Sequence, residues 1–213
     1  MRAQGGAVYC AAFSLDGKLL ATASEDNTAR LFDVATGKEL LKLAHDDEVL
    51  SAAFNPDGKL LATAAADDTA RLFDVVTGKE LFKLAHDDVA WSATFSLDGK
   101  LLATASSDTT ARLFDVATGK ELFNLDHDGK VLSAAFSPDG KLLATASEDK
   151  TARLFDVATG KEQLRLVHDP VVWSAAFGPD GKLLATASSD EMARLFDVAT
   201  GKEPFKLVHD DSV

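Results

Sequence analysis

Several common sequence features are missing from this chain of 213 residues. Its one cysteine, Cys10, excludes an intramolecular disulfide and a thiolate metal cluster. No apolar run approaches the roughly eighteen residues that cross a bilayer. Residues 1–6 also lack the apolar stretch of a secretory signal. We therefore expect a cytoplasmic protein with no membrane partner.

Basic residues are the minority among the charges. The chain has 22 Lys+Arg against 34 Asp+Glu, a formal net charge of −12. Such a surface repels phosphate backbones, so nucleic acids and anionic membranes are poor partners. Hydrophobic residues make up 46% and charged residues 26%, which is ordinary for a soluble globular protein and argues against disorder.

The chain is built from one unit of 41 residues that occurs five times. The segment Ala-Arg-Leu-Phe-Asp-Val recurs with its phenylalanine at positions 32, 73, 114, 155 and 196. No linker interrupts the array, so residues 1–213 are predicted to form a single domain. Its units span approximately residues 4–44, 45–85, 86–126, 127–167 and 168–208. Residues 209–213 are either the start of a sixth unit or a ring closure.

Each unit is predicted to contain four short strands. In the second unit these cover residues 49–54, 59–64, 69–75 and 80–85, separated by turns that contain Asp or Gly. A turn with glycine recurs about every 8 to 12 residues, which excludes a helical unit. Four strands in roughly 40 residues is the period of a β-propeller blade.

The units resemble WD-repeat propeller blades over essentially the whole chain. The matching positions are a histidine, a hydroxyl on the second strand, an aspartate in the next turn, and an aromatic-Asp pair that ends the third strand. Phe-Asp stands here where the family most often has Trp-Asp. The resemblance implies an all-β fold, a β-propeller of five four-stranded antiparallel blades, with no terminal strand overlap evident.

In that family the histidine, hydroxyl and aspartate form a hydrogen-bonded chain that locks each blade. The aspartate needs a donor, and the imidazole needs a partner at its other nitrogen. Phenylalanine has no indole N–H, so each blade is expected to lose about 0.5–1.5 kcal/mol relative to a satisfied tryptophan. The predicted structural network comprises His45, Thr63 and Asp67; His86, Thr104 and Asp108; His127, Thr145 and Asp149; His168, Thr186 and Asp190; and His209, Thr22 and Asp26.

The last of these sets depends on how the chain ends meet. The first unit has Gln4 where the others have histidine, and His209 follows the fifth unit. If the ring closes, His209 is expected to meet Thr22 and Asp26. If the chain is a fragment of a longer array, His209 serves a blade outside it.

Catalytic and metal-binding interpretations of these residues are disfavoured. Thr, His and Asp are the components of a nucleophilic triad, but five copies in one ring have no mechanistic purpose. No second histidine lies at ligand spacing from pairs such as His45-Asp46, so we predict neither metal nor cofactor. We expect no enzymatic activity.

Positions that vary between units are the candidates for recognition. One begins the inner strand and alternates aromatic and leucine, and two others lie on the same predicted face of the ring. Exposed tyrosine and tryptophan with a mixed rim resemble an interaction hot spot, although aromatics can also pack around the axis. The predicted face consists of Tyr9, Leu50, Trp91, Leu132, Trp173, Glu48, Lys130, Glu25 and Glu148.

Two functions remain open at this point. The first is a non-enzymatic scaffold that binds a protein or peptide, for which a positively charged or aromatic peptide would suit the acidic surface. The alternative is a purely structural or engineered symmetric array, or a fragment that self-associates into a larger ring, with no dedicated ligand. Near-identity of the units favours the alternative.

Overall fold

A computed structural model describes residues 5–209, which form twenty strands in five antiparallel sheets of four. The first strand of each sheet lies innermost. These first strands are β1 (Val8–Phe13), β5 (Val49–Phe54), β9 (Ala90–Phe95), β13 (Val131–Phe136) and β17 (Val172–Phe177). The second strands are β2 (Leu19–Ser24), β6 (Leu60–Ala65), β10 (Leu101–Ser106), β14 (Leu142–Ser147) and β18 (Leu183–Ser188).

The two outer strands complete each blade in chain order. The third strands are β3 (Thr28–Asp33), β7 (Thr69–Asp74), β11 (Thr110–Asp115), β15 (Thr151–Asp156) and β19 (Met192–Asp197). The fourth strands are β4 (Glu39–Ala44), β8 (Glu80–Ala85), β12 (Glu121–Asp126), β16 (Glu162–Val167) and β20 (Phe205–Val208). β20 is shorter than the others because Pro204 has no N–H to donate to β19.

The predicted fold class is confirmed. Every sheet pairs its strands in the order in which they follow one another in the chain, and among the described residues no strand passes from one blade to another. In the second blade the predicted strand bounds agree with β5 to β8 to within one residue. Among residues 5–209 there is no helix long and apolar enough to cross a membrane.

Turn chemistry sets the strand lengths. Gly58 ends the first turn of the second blade at φ +72°, a conformation that glycine adopts without steric cost. Asp68, in the next turn, also has a positive φ, as do its counterparts in all the blades. Thr109 is one of these, and a β-branched residue is unfavourable there. The strands on either side therefore set the backbone conformation of this turn, whichever residue occupies it.

Apolar packing between neighbouring blades forms the core. Leu31 and Leu43 of the first blade pack against Val49, Leu61 and Phe73 of the second, and all five are buried. Equivalent residues form the cores between the second and third, third and fourth, and fourth and fifth blades. The blades therefore stack around a common axis through four repeats of one interface.

Candidate functional site

The three aromatic residues predicted to face a partner are partly exposed at one end of the first strands. The indole N–H of Trp91 donates to the Ser107 hydroxyl at 2.8 Å, and that of Trp173 donates to Ser189 at 2.6 Å. Because a hydrogen bond anchors each indole to the loop that follows the second strand, both rings are held at the surface. We call this end of the blades the aromatic face.

Tyr9 contacts the second blade. Its hydroxyl donates to the Glu48 carboxylate at 3.0 Å. The carboxylate of Glu25 accepts the backbone N–H of Ala7 at 2.8 Å, in the same group of loops. These contacts place Tyr9, Glu25 and Glu48 together.

The remaining predicted residues lie at the equivalent positions of the even-numbered blades. Leu50 and Leu132 are half-buried where the odd-numbered blades carry aromatics. The backbone N–H of Glu148 donates to the carbonyl of Lys130 at 2.9 Å. The structure thus brings the nine predicted residues to one end of the molecule, in five loop clusters rather than in one pocket.

Carboxylates outnumber cations at the aromatic face. In the second blade the Arg71 guanidinium bridges Asp67 and Asp46, and its contact with Asp46 is 2.9 Å. Arg112 lies between Asp108 and Asp87 in the same way. Lys83 also lies 3.6 Å from Asp46, so the excess of negative charge is clearest in the third blade, where Asp87 and Asp108 share Arg112.

The predicted network is complete in the third and fourth blades. His86 Nδ1 donates to the Asp108 carboxylate at 2.9 Å, and His86 Nε2 lies 2.8 Å from the Thr104 hydroxyl. His127 has the same neighbours in the fourth blade, at 3.3 Å from Asp149 and 3.0 Å from Thr145.

The second and fifth blades form only part of the predicted hydrogen-bond network. His45 Nε2 lies 2.9 Å from Thr63, but its Nδ1 has no partner among the described residues. His168 Nε2 lies 2.9 Å from Thr186, whereas its Nδ1 donates to the carbonyl of Leu166 at 3.1 Å instead of to Asp190.

The expected contact of His209 with the first blade is not formed. The Thr22 hydroxyl is buried and has no hydrogen-bond partner within residues 5–209, and His209 is exposed. Gln4, which occupies the histidine position of the first blade, lies outside the described residues. Asp26 is bonded instead by Thr28, Arg30 and the backbone of Gly5.

Sequence reasoning missed the arginine on the third strand of each blade. It lies four residues after the turn aspartate and forms an ion pair with it in every blade; the five are Arg30, Arg71, Arg112, Arg153 and Arg194. The signal was present in the repeated segment Ala-Arg-Leu-Phe-Asp-Val. A charged residue with apolar neighbours on both sides is itself a sign of a buried ion pair.

Comparison with known families agrees with this architecture. The family model described as WD domain, G-beta repeat matches residues 1–33, 37–74, 78–115, 119–156 and 160–197. The chain belongs to the WD40-repeat family. No match is found among curated proteins.

Phenylalanine takes the tryptophan position of the WD40 repeat by packing against the histidine. The rings of Phe73 and His45 are stacked with centroids 5.7 Å apart. Phe155 and Phe196 approach His127 and His168 edge-on, at 5.8 and 5.4 Å. The aromatic therefore covers the imidazole, and no hydrogen bond from it extends the network.

Burial keeps the WD40 histidines neutral. Desolvation, followed by the nearby Arg153, lowers the pKa of His127 to about 4. Burial alone would raise the pKa of Asp108, but hydrogen bonds from Thr110, His86 and the Asp87 backbone outweigh it and lower the pKa to about 2. Desolvation lowers the pKa of His45, His86 and His168 as well, so the four buried imidazoles are neutral near pH 7.

These networks lack the access that catalysis requires. Thr104 and Thr145 are fully buried, so no substrate reaches their hydroxyl groups. Among residues 5–209 no cluster of His, Cys, Asp and Glu is suited to hold a metal ion. The geometry supports a structural role for the histidine networks.

The sequence also gave no indication of a concave surface at the other end of the blades. A cavity of about 530 Å³ lies at the opposite end of the first strands and is lined by all five blades. Its wall includes the phenylalanine that ends each first strand: Phe13, Phe54, Phe95, Phe136 and Phe177. Because this residue is the same in every unit, it is not among the variable positions that the sequence offers as candidates for recognition.

Proposed function

We propose that this protein is a non-enzymatic scaffold that captures a basic, aromatic-containing peptide or protein segment on the aromatic face. WD40 domains are β-propellers that generally mediate protein interactions. The observation that carries the proposal is the placement of Tyr9, Trp91 and Trp173, which are partly exposed while their polar atoms are anchored.

Anchoring favours binding because it reduces the entropy lost on association. An indole held by Ser107 or Ser189 presents its ring in a fixed orientation before the partner arrives. Tryptophan and tyrosine are also the residues that most often dominate binding energy at protein interfaces. The face therefore has the composition of an interaction hot spot.

Charge specifies the class of partner. The chain carries a net charge of −12, and Asp87 and Asp108 share the single guanidinium of Arg112 next to Ser107, the partner of Trp91. Lysine and arginine side chains complement both the carboxylates and the aromatic rings, the latter through cation–π contact. A basic segment is thus the partner that fits best.

The experiment is a binding titration with fluorescently labelled peptides that combine several Lys or Arg residues with one aromatic residue. We expect the Trp91→Ala, Trp173→Ala double variant to lose binding and keep its circular dichroism spectrum. Phe13→Ala is the matched control, because Phe13 is an exposed aromatic on a first strand at the opposite end. Binding should also weaken as salt is added.

Two results would count against this face. Equal affinity of the double variant and the unmodified chain would place the partner elsewhere, and the phenylalanine-lined cavity would be tested next. Absence of binding by any member of a charge-balanced peptide library would favour the purely structural array.

A further inference from the structure

The interface between neighbouring blades has two different sides. We call the side that a blade presents to the next one its rear face; in the first blade it consists of Ala21, Ala23, Ala29, Leu31 and Leu43. We call the side that receives it the front face; in the second blade it consists of Val49, Ala52, Leu61, Phe73 and Val75. Every residue of this pair of faces is buried.

The rear face of the fifth blade is uncovered. Its residues are Ala185, Ala187, Ala193, Leu195 and Leu207, and each is at least partly exposed where its four counterparts are buried. Leu207 is 53% exposed, whereas the equivalent Leu43 is 5% exposed. No blade covers this apolar surface within residues 5–209.

The front face of the first blade is uncovered as well. It consists of Val8, Ala11, Leu20, Phe32 and Val34, which are exposed or partly exposed. Val8 is 51% exposed, whereas the equivalent Val49 is 0% exposed. The molecule therefore has one unpaired copy of each side of its own interblade interface.

From these two faces we infer that copies of this chain associate head to tail, with the rear face of the fifth blade of one copy against the front face of the first blade of the next. The occupant is specified by repetition, because the same two surfaces pack together four times within the chain. Each position of the two faces carries the same or a similar residue in all five units, so a fifth interface between two copies can repeat the four internal ones.

Closure of one chain onto itself is the competing outcome. It requires a rotation of about 72° between blades. The four internal interfaces are already closely packed, and in this arrangement the two end faces stay exposed. Self-closure would require the packing at these interfaces to change until the two end faces meet. Head-to-tail contacts of this kind form a ring if the rotation closes and an open chain if it does not.

Light scattering coupled to size exclusion tests the association. The unmodified chain should exceed its monomer mass of 22.5 kDa, and the excess should grow over an about hundredfold range of concentration. Val8→Asp should disrupt the front face and Leu207→Asp the rear face. Each should raise the concentration needed for association by at least about tenfold, because each would bury an unpaired carboxylate. Both positions are exposed in the single chain, so its fold should persist, as circular dichroism will show. Val76→Asp, at an exposed turn outside both faces, is the matched control.

Mixing the two variants gives the decisive readout. The Val8→Asp chain keeps an intact rear face and the Leu207→Asp chain an intact front face, so an equimolar mixture should form one junction and reach twice the monomer mass. A mixture that stays at 22.5 kDa would overturn the proposal, as would an unmodified chain that is monomeric at every concentration. Association equal in both variants and the unmodified chain would also overturn it, because other surfaces would then be responsible.

Discussion

The third and fifth blades have nearly the same sequence but different internal order. In the third blade the Asp108 carboxylate is bonded by His86, Thr110 and Arg112. In the fifth blade Asp190 keeps its arginine, but one of its oxygens is buried without a partner in the described part of the chain.

One substitution accounts for much of this difference. Met192 stands where the other blades have threonine, so no hydroxyl reaches Asp190. Instead the methionine sulfur lies 3.5 Å from the Arg194 guanidinium. Within residues 5–209 the fifth blade also has no neighbour on its rear face. Blades of nearly the same sequence therefore differ in internal hydrogen bonding. Each hydrogen-bond network needs its own polar residues and a neighbouring blade that covers it.

Removing the aspartate at the centre of the network should give the largest effect. We expect Asp108→Ala to lower the free energy of unfolding by about 3–5 kcal/mol, because it removes the carboxylate that His86, Thr110 and Arg112 all contact. The matched variant Asp190→Ala should cost about half as much or less, since its network is already incomplete. Chemical denaturation of both variants measures this. Equal losses would contradict the contrast between the blades.

Truncating a leucine in the interblade core should give the next largest effect. Leu113→Ala should destabilise by about 2–5 kcal/mol, because Leu113 is fully enclosed between the third and fourth blades. Leu195→Ala, the equivalent change on the uncovered rear face, should lower the free energy of unfolding by about 1–2 kcal/mol under dilute conditions where chains do not associate. Denaturant midpoints at low protein concentration compare them. A larger loss at Leu195 would show that its face is covered in solution.

Acidification should weaken the interior blades. The pKa of His127 is about 4, against 6.5 for an unburied histidine, so between these values the unfolded chain binds a proton that the folded chain does not. Stability should therefore fall as pH drops from about 6.5 to about 4, by up to about 1.4 kcal/mol per pH unit for this residue. Unfolding at a series of pH values measures the slope, and His127→Gln should make it shallower. An unchanged slope in that variant would assign the effect to other groups.

Restoring the missing threonine hydroxyl in the fifth blade should give the smallest change in stability. It should also remove part of the difference between the third and fifth blades. Met192→Thr should stabilise the protein by about 1 kcal/mol, because Asp190 gains a hydrogen-bond donor. The reverse exchange, Thr110→Met, should destabilise the third blade by a similar or larger amount. Thermal denaturation of the two variants provides the measurement. Destabilisation by Met192→Thr would mean that the methionine contributes packing that outweighs the lost bond.

Much of the candidate site was predictable from residues that differ between the units. The alternation of Tyr9, Leu50 and Trp91 at one strand position identified the aromatic face, since a scaffold needs no such variation. The hydrogen bonds of Trp91 to Ser107 and of Trp173 to Ser189 were not predictable, because they join residues 16 apart across a loop. The phenylalanine-lined cavity was missed for the opposite reason, because its residues do not vary.

The sequence by itself determined the number of blades, their four strands and the turns between them. Those features depend on local patterning: a 41-residue period, apolar strands and glycine at positive φ. Only the tertiary structure decided that Asp108 is bonded from all sides while Asp190 is not, and that Thr22 and His209 remain apart. It also decided that the outer faces of the first and fifth blades are exposed in the described part of a single chain. These properties depend on contacts between strands and between blades, whose residues lie far apart in the sequence.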